Sequence, residues 1–247
     1  GLRCPDHPVA ARLLREAGVP VVASSANRRG QPPPDHLDAA MRQIGTEVDY
    51  AFDAGRARLG SASTIVSVDG ETWRVEREGA LDERTVQRYA TREILFVCTG
   101  NSCRSPLAEY LLRDALAKRL GIEAKDLARA GFSVASAGTA AWGGGPISDG
   151  SLEELRQRGI DASSHASQPI TKELLTRAHR IYVMSPEHRR AVLDAAPDVR
   201  HVDLLDPAGA ISDPIGGGAS EYHECAEHIR RAIEVRIEEI IDEDRDW

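Results

Sequence analysis

Two residues in this chain carry complementary chemistry at short spacing. Cys98 closes the apolar run Ile94-Leu95-Phe96-Val97, and Arg104 follows with Thr99-Gly100-Asn101-Ser102-Cys103 between them. Ser105 and Pro106 come next. A cysteine becomes a good nucleophile only as the thiolate. A turn with inward-facing backbone N–H groups, leading into a helix N-terminus, offers that thiolate partial positive charge. Arg104 adds a full charge and a planar fork of donors that matches two phosphate oxygens. The order reads as a phosphate-binding loop built around a nucleophilic sulfur.

The surrounding residues suit that loop. Gly100 is expected to permit its tight curvature. Pro106 fits a first helical turn, where no backbone donor is needed. Leu107, Tyr110, Leu111 and Leu112 then give the helix a buried stripe. Further on, strand-like and helix-like segments alternate. Strands are expected at 94–97, 133–136, 180–184 and 201–204, and helices at 106–120, 151–158, 172–177, 186–195 and 221–241. Such alternation predicts an α/β fold, an open parallel sheet with helices on both faces. The loop would sit at the carboxyl end of the first strand, where ligands bind in such sheets.

The string VCTGNSCRSPLAEYLL resembles the N-terminal signature of the low-molecular-weight protein tyrosine phosphatases. The similarity continues through Ser136-Ala137-Gly138-Thr139, Trp142, the acidic-apolar helix after Pro146, and Asp213-Pro214. It implies a phosphatase domain over 92–247 with the phosphotyrosine phosphatase I-like fold. It also implies roles. Cys98 is the nucleophile, Arg104 the phosphate clamp and Asp213 the general acid. Thr99, Gly100, Asn101, Ser102, Cys103, Ser105 and Ser136 form and brace the loop. Cys98 would attack phosphorus in line to give a cysteinyl-phosphate. Asp213 would protonate the leaving group, then deprotonate the water that clears the enzyme. Asp206-Pro207 offers the same dipeptide nearby, but the continuation Ile215-Gly216-Gly217-Gly218 favours Asp213. Cys103 is implied as a redox partner that traps Cys98 as a reversible disulfide; the alternative is a small packing residue. No metal or other cofactor is expected, since the chain has no HExxH, paired CxxC or EF-hand-like loop.

The substrate is open between two phosphorylated side chains. Trp142 stands where many tyrosine phosphatases of the resembling family place an aromatic wall, which favours a phosphotyrosine ring. A packing role is the alternative. Ile215 follows Asp213-Pro214 where those enzymes usually carry an aromatic, and Ser102 is smaller than their usual residue. Both features resemble the protein-arginine-phosphatase branch, although that branch usually has Thr where this chain has Ser102. In that reading Asp213 would pair with the guanidinium and protonate its leaving nitrogen. Either way the partner is a phosphorylated protein or peptide. Three rival classes compete: a phosphate-binding module without turnover, which retention of Cys98 and Asp213 opposes; arsenate reduction, for which Cys225 stands alone; and a tRNA-modifying synthase. His165 is expected to pack or cap locally. The glycine runs 143–145 and 216–218 read as pocket lips or plain loops.

The chain is long enough for two domains, divided near residues 89–93. In the first part, 1–90, a strand is expected at 19–23, a polar loop at 24–30 and a proline-rich turn at 31–34. A helix at 35–44 and strands at 63–68 and 72–76 follow, with Asp69-Gly70 as a hairpin turn. GLRCPDHP, SSANRRGQP, SASTIVSV and REGAL, in that order, resemble the C-terminal part of YrdC-type domains of threonylcarbamoyl-AMP synthases. The resemblance implies a partial mixed α/β segment in which Ser25, Asn27, Ser63 and Arg77 match pocket positions. The basic motif that handles ATP in that family has no counterpart in this chain, so synthase turnover from it alone is not expected.

A hydrophobic content of 41% with a net charge of -8 indicates a soluble globular chain. The acidic balance argues against a nucleic-acid face, and no apolar run reaches membrane-spanning length. The acidic C-terminus, 238–247, reads as a solvated helix end. Four cysteines without framework spacing, Cys4 and Cys225 among them as ordinary thiols, point to a reducing cytoplasm.

Overall fold

The computed structural model describes residues 1–3, 5–69 and 72–242. The chain forms two compact units, Gly1–Val86 and Gln87–Trp247. In the first lie helices α1 (Pro8–Ala17) and α2 (Leu37–Ile44) and strands β1 (Ile65–Asp69) and β2 (Thr72–Arg77). The two strands pair antiparallel. The segment 19–23, expected as a strand, is irregular. Its valines suit a pleated surface, but a strand exists only against a partner, and none pairs with it among the described residues. Gly70 of the expected hairpin turn, Cys4 and residues 243–247 lie outside the described residues. No described residue of 1–86 is fully buried.

The second unit is built around four parallel strands. Helix α3 (Glu83–Tyr89) leads into β3 (Arg92–Cys98), α4 (Arg104–Leu120), β4 (Phe132–Gly138), α5 (Asp149–Gln157) and α6 (Lys172–Arg177). Then come β5 (Arg180–Val183), α7 (Pro186–Ala195), β6 (Val202–Leu204) and α8 (Ala219–Asp242). The sheet order is β4-β3-β5-β6, with every pairing parallel. Strand β3 is central, which explains why Ile94 to Cys98 is buried without interruption.

Alternate residues of β3 feed opposite faces. Ile94, Phe96 and Cys98 pack with Leu107, Leu112 and Leu116 of α4, Leu155 of α5 and Ile229 and Ile233 of α8. Leu95 and Val97 pack with Leu175 of α6 and Val192 of α7. Each fully buried aliphatic or aromatic side chain contributes roughly 1.5–3 kcal/mol, so β3 and α4, which carry the loop, are anchored at both ends. Helix α4 stops at Gly121, whose φ of 68° is left-handed and whose N–H reaches Ala117 O and Lys118 O. No described helix is long and apolar enough to cross a membrane.

Candidate active site

The turn from β3 to α4 runs from Cys98 to Arg104. Its sharp bend falls at Asn101, which holds a left-handed φ of 53°. Gly100, the residue expected to supply the curvature, has no such φ, and a Cβ there would meet nothing closer than Ser102 Oγ at 3.4 Å. The glycine the loop requires is Gly138 at the end of β4. A Cβ at that position would lie 2.5 Å from Thr99 O and 2.9 Å from Asn101 N. The adjoining backbone is stitched by Thr139 N donating to Cys98 O and Ala140 N to Thr99 O, both at 2.9 Å.

Cys98 Sγ lies 3.0 Å from Ser105 Oγ and accepts Asn101 N–H at 3.3 Å. Ser105 Oγ also reaches Ala137 O at 3.3 Å. The serine proton thus has two acceptors, the carbonyl when sulfur carries hydrogen and the sulfur when it does not. Asn101 is wholly buried and its amide is fully used. Its Nδ2 donates to Ser105 Oγ at 3.0 Å and to Ser136 Oγ at 2.8 Å. Its Oδ1 accepts Gln168 N at 2.8 Å. Ser136 Oγ in turn donates to Glu109 Oε2 at 2.6 Å. Burial raises the Glu109 carboxyl above its ordinary value, with the Ser136 and Arg113 contacts acting against it. Asn101 O faces His165 Nε2 at 2.9 Å, so His165 braces the loop across 64 residues instead of capping locally.

Arg104 is 7% exposed and opens α4. Its Nη1 donates to Ile211 O at 3.3 Å and its Nη2 to Asp213 Oδ2. Its buried Nε has no hydrogen-bond partner among the described residues. Asp213 shapes its own turn by accepting Ile215 N at 3.2 Å. Asp206, the competing aspartate, is instead committed to His228 Nε2 at 2.6 Å and Ala208 N at 2.8 Å, which hold its carboxyl below the usual range. Trp142 and Ile215 are 91% and 68% exposed. Ser102 is half-buried, with Oγ 3.7 Å from Cys103 Sγ. Cys103 also meets Tyr222 OH at 3.7 Å, and Cys98, Cys103 and Cys225 are free thiols. Cys225 is buried, which pushes its thiol up to about 12.

A cavity of about 450 Å³ runs beside Asp213, lined by Pro214, Glu221, His223, Glu224 and Glu227 among others. A larger one, about 830 Å³, is lined by Arg92, His179, Arg180 and His201, at the amino ends of the strands and away from the loop. Among the described residues no cluster of three or more His, Cys, Asp and Glu side chains is placed to hold a metal ion.

The residues singled out in the first unit divide into two groups. Ser63 O accepts Arg77 Nη2 at 2.8 Å and Ser63 Oγ accepts Arg3 Nη2 at 3.0 Å. Asn27 closes its own loop by donating to Arg28 O and Gln31 O, and Ser25 is exposed. Sequence reasoning missed Glu109, Gln168 and His188. His188 is buried, and its Nε2 lies 2.8 Å from Thr99 Oγ1.

Residues 93–245 match the family described as low molecular weight phosphotyrosine protein phosphatase. A probable low molecular weight protein-tyrosine-phosphatase, EpsP, of Ralstonia nicotianae is 31% identical over 153 residues, covering 60% of this chain and 96% of that protein. The solved arginine phosphatase YwlE of Geobacillus stearothermophilus is 30% identical with a TM-score of 0.54, covering 62% of this chain and 94% of that one. Residues 1–79 match the Sua5, YciO and YrdC family, described as telomere recombination. A putative threonylcarbamoyl-AMP synthase of Mycobacterium tuberculosis is 45% identical over 85 residues, and the chain spans only 39% of that relative's length.

Proposed function

Because the chain belongs to the low molecular weight phosphotyrosine protein phosphatase family, we propose that it dephosphorylates phosphotyrosine in proteins, with Cys98 as nucleophile. The observation that carries this is the sulfur of Cys98 held between a serine hydroxyl and a loop amide, on the turn that ends at the buried guanidinium of Arg104. A sulfur so held has donors ready for its negative charge, and Arg104 Nε is a buried donor suited to a phosphoryl oxygen.

In this reading the sulfur attacks phosphorus and the bond to the tyrosyl oxygen breaks, giving a cysteinyl-phosphate. Asp213 gives its proton to the departing oxygen, then takes one from the water that attacks the intermediate. Arg104 and the loop amides hold the equatorial oxygens throughout. Trp142, exposed as it is, offers a face for the tyrosine ring.

A second reading, phosphoarginine, draws on the small Ser102, the aliphatic Ile215 and Asp213, whose carboxylate already pairs with one guanidinium, that of Arg104. Turnover of phosphotyrosine and phosphoarginine peptides by the wild type and by Cys98→Ser decides between them. The phosphotyrosine peptide is expected to be cleaved and the variant to be inert. Preference for phosphoarginine would move the assignment to the second reading, and failure on both peptides would remove the phosphatase reading.

For the first unit, a partial synthase-like segment without turnover fits best. Its Arg77 donates to the Ser63 carbonyl, the Ser63 hydroxyl accepts from Arg3, and Asn27 donates within its own loop. ATP- and threonine-dependent release of pyrophosphate by this chain would overturn that.

A further inference from the structure

Among the buried titratable side chains that the phosphatase reading leaves unused, one bonds Thr99, the neighbour of the nucleophile. His188, in the first turn of α7, is 6% exposed. Its Nδ1 lies 3.0 Å from Ser185 Oγ and its Nε2 lies 2.8 Å from Thr99 Oγ1. A neutral imidazole carries one donor and one acceptor nitrogen, so His188 bonds both hydroxyls at once, Ser185 through Nδ1 and Thr99 through Nε2.

Three charged groups face this imidazole: Arg104 from α4, Asp213 from the loop after β6, and Glu187 from its own helix. Burial and then Arg104 hold it below the ordinary histidine value, with Glu187 and Asp213 opposing. That shift favours the neutral ring at neutral pH.

Thr99 is the residue directly after the nucleophile, and its side chain stands at the exposed lip of the loop. Its carbonyl is tied to Ala140 N, leaving the hydroxyl as its second tether. We propose that His188 is a positioning residue for the phosphatase reaction: by bonding the Thr99 hydroxyl it fixes the loop's first residue, so that the amides beyond it match the transition state. The inference rests on the phosphatase reading, and it assigns to α7 a part in catalysis without contact with substrate.

The test is a double-mutant cycle on para-nitrophenyl phosphate with His188→Ala, Thr99→Val and both together. A single lost tether is expected to lower kcat about tenfold with KM little changed. The double variant is expected to be no slower than the worse single one, because the two residues act through one bond. His188→Gln, which keeps an acceptor, is expected to recover most of kcat. Inhibition by orthovanadate, which adopts the five-coordinate shape, is expected to weaken in parallel with kcat, and inhibition by inorganic phosphate to weaken less.

Losses that multiply in the double variant would overturn the inference. So would a His188→Ala enzyme whose kcat per folded molecule is that of the wild type and whose melting temperature alone falls. Thr99→Val alters a lip residue and His188→Gln keeps the ring's bulk in part, so the cycle remains readable if His188→Ala folds poorly. A wild type that turns over while Cys98→Ser does not, combined with additive losses, sinks this inference and leaves the phosphatase reading standing. An inert wild type sinks both.

Discussion

Replacing Asp213 with asparagine is expected to push two measurable quantities in opposite directions. In the protein, the Asp213 carboxylate bonds Arg104 Nη2, a donor that an incoming phosphoryl oxygen also needs. The Arg104 side chain is 8% exposed and the Asp213 side chain 37%. Exposed ion pairs are worth about 0.2–1 kcal/mol, while breaking a fully buried one costs about 3–5 kcal/mol. With the acid more than a third exposed, its hold on Arg104 belongs near the lower range, about 1 kcal/mol after solvent screening. The uncharged amide competes less, so inorganic phosphate should inhibit Asp213→Asn about fivefold more tightly, since 1.4 kcal/mol is roughly tenfold. The same change removes the proton donor. General acid catalysis contributes about 10²–10⁴-fold, so kcat on a phosphotyrosine peptide should fall by that order. The loss should be smaller on para-nitrophenyl phosphate, whose leaving group needs less help. The assay is steady-state turnover of both substrates with phosphate as competitive inhibitor, for Asp213→Asn and Asp206→Asn side by side. An Asp213→Asn enzyme that binds phosphate more weakly refutes the competition argument. An Asp206→Asn enzyme that loses turnover while Asp213→Asn keeps it refutes the assignment of the acid, given that Asp206 is engaged by His228.

Gly138→Ala should abolish turnover, because its Cβ would lie 2.5 Å from Thr99 O, backbone that cannot yield without moving the loop; near-normal kcat would show the loop to be more pliant than its hydrogen bonds suggest. Ser136→Ala should cost about 1–3 kcal/mol in denaturant unfolding and lower kcat, since it strands a buried Asn101 donor and the Glu109 acceptor. His188, held below its ordinary 6.5, binds fewer protons folded than unfolded, so its contribution to stability is present above about pH 6.5 and fades as pH falls through the folded value. His188→Gln should flatten that part of the stability profile in chemical denaturation, and an unchanged slope would show that other groups set it. Gly150→Ala should destabilise the second unit by about 1–3 kcal/mol, because its Cβ would meet the Tyr222 ring at 2.5 Å; a melting temperature equal to that of the wild type would count against the packing.

From β3 onward the strands and α-helices were legible because each is a closed local statement: an apolar run for β3, a proline start for α7, a glycine stop after α4; α1 and α3 were missed. The segment 19–23 was misread because valine content speaks to how a residue fits a sheet and says nothing about whether a sheet is there. Within the site, Cys98, Asn101, Arg104 and Ser105 were legible because they fall within eight residues of one another. Glu109 left a faint trace, a carboxylate four residues beyond Ser105 on a helix whose neighbours at that face are buried leucines. Gln168 and His188 left almost none. His188 meets the loop because parallel strands deliver the segments after them to the same edge, which makes the residues just past β5 neighbours of those just past β3, whereas Gln168 reaches it from the segment after α5, where Pro169 bridges Gly138. Local spacing cannot encode that meeting, although the edge rule, applied to the first turn of α7, would have pointed to His188. Gly100 was credited with a bend that Asn101 makes, an error of assuming that glycine takes every unusual φ when asparagine also tolerates this one.

The two partners in the Arg104–Asp213 bond stand 109 positions apart along the chain. Everything that grips sulfur sits on one short turn backed by β3 and α4, whereas Trp142 and Ile215 project into solvent from separate loops. Exchanges at those two outer positions therefore disturb neither the packed interior nor the donors around the thiol. In the substrate roles proposed above for Trp142 and Ile215, a lineage carrying this architecture could retune which phosphorylated residue it accepts in a few surface steps, with its reactive centre kept intact.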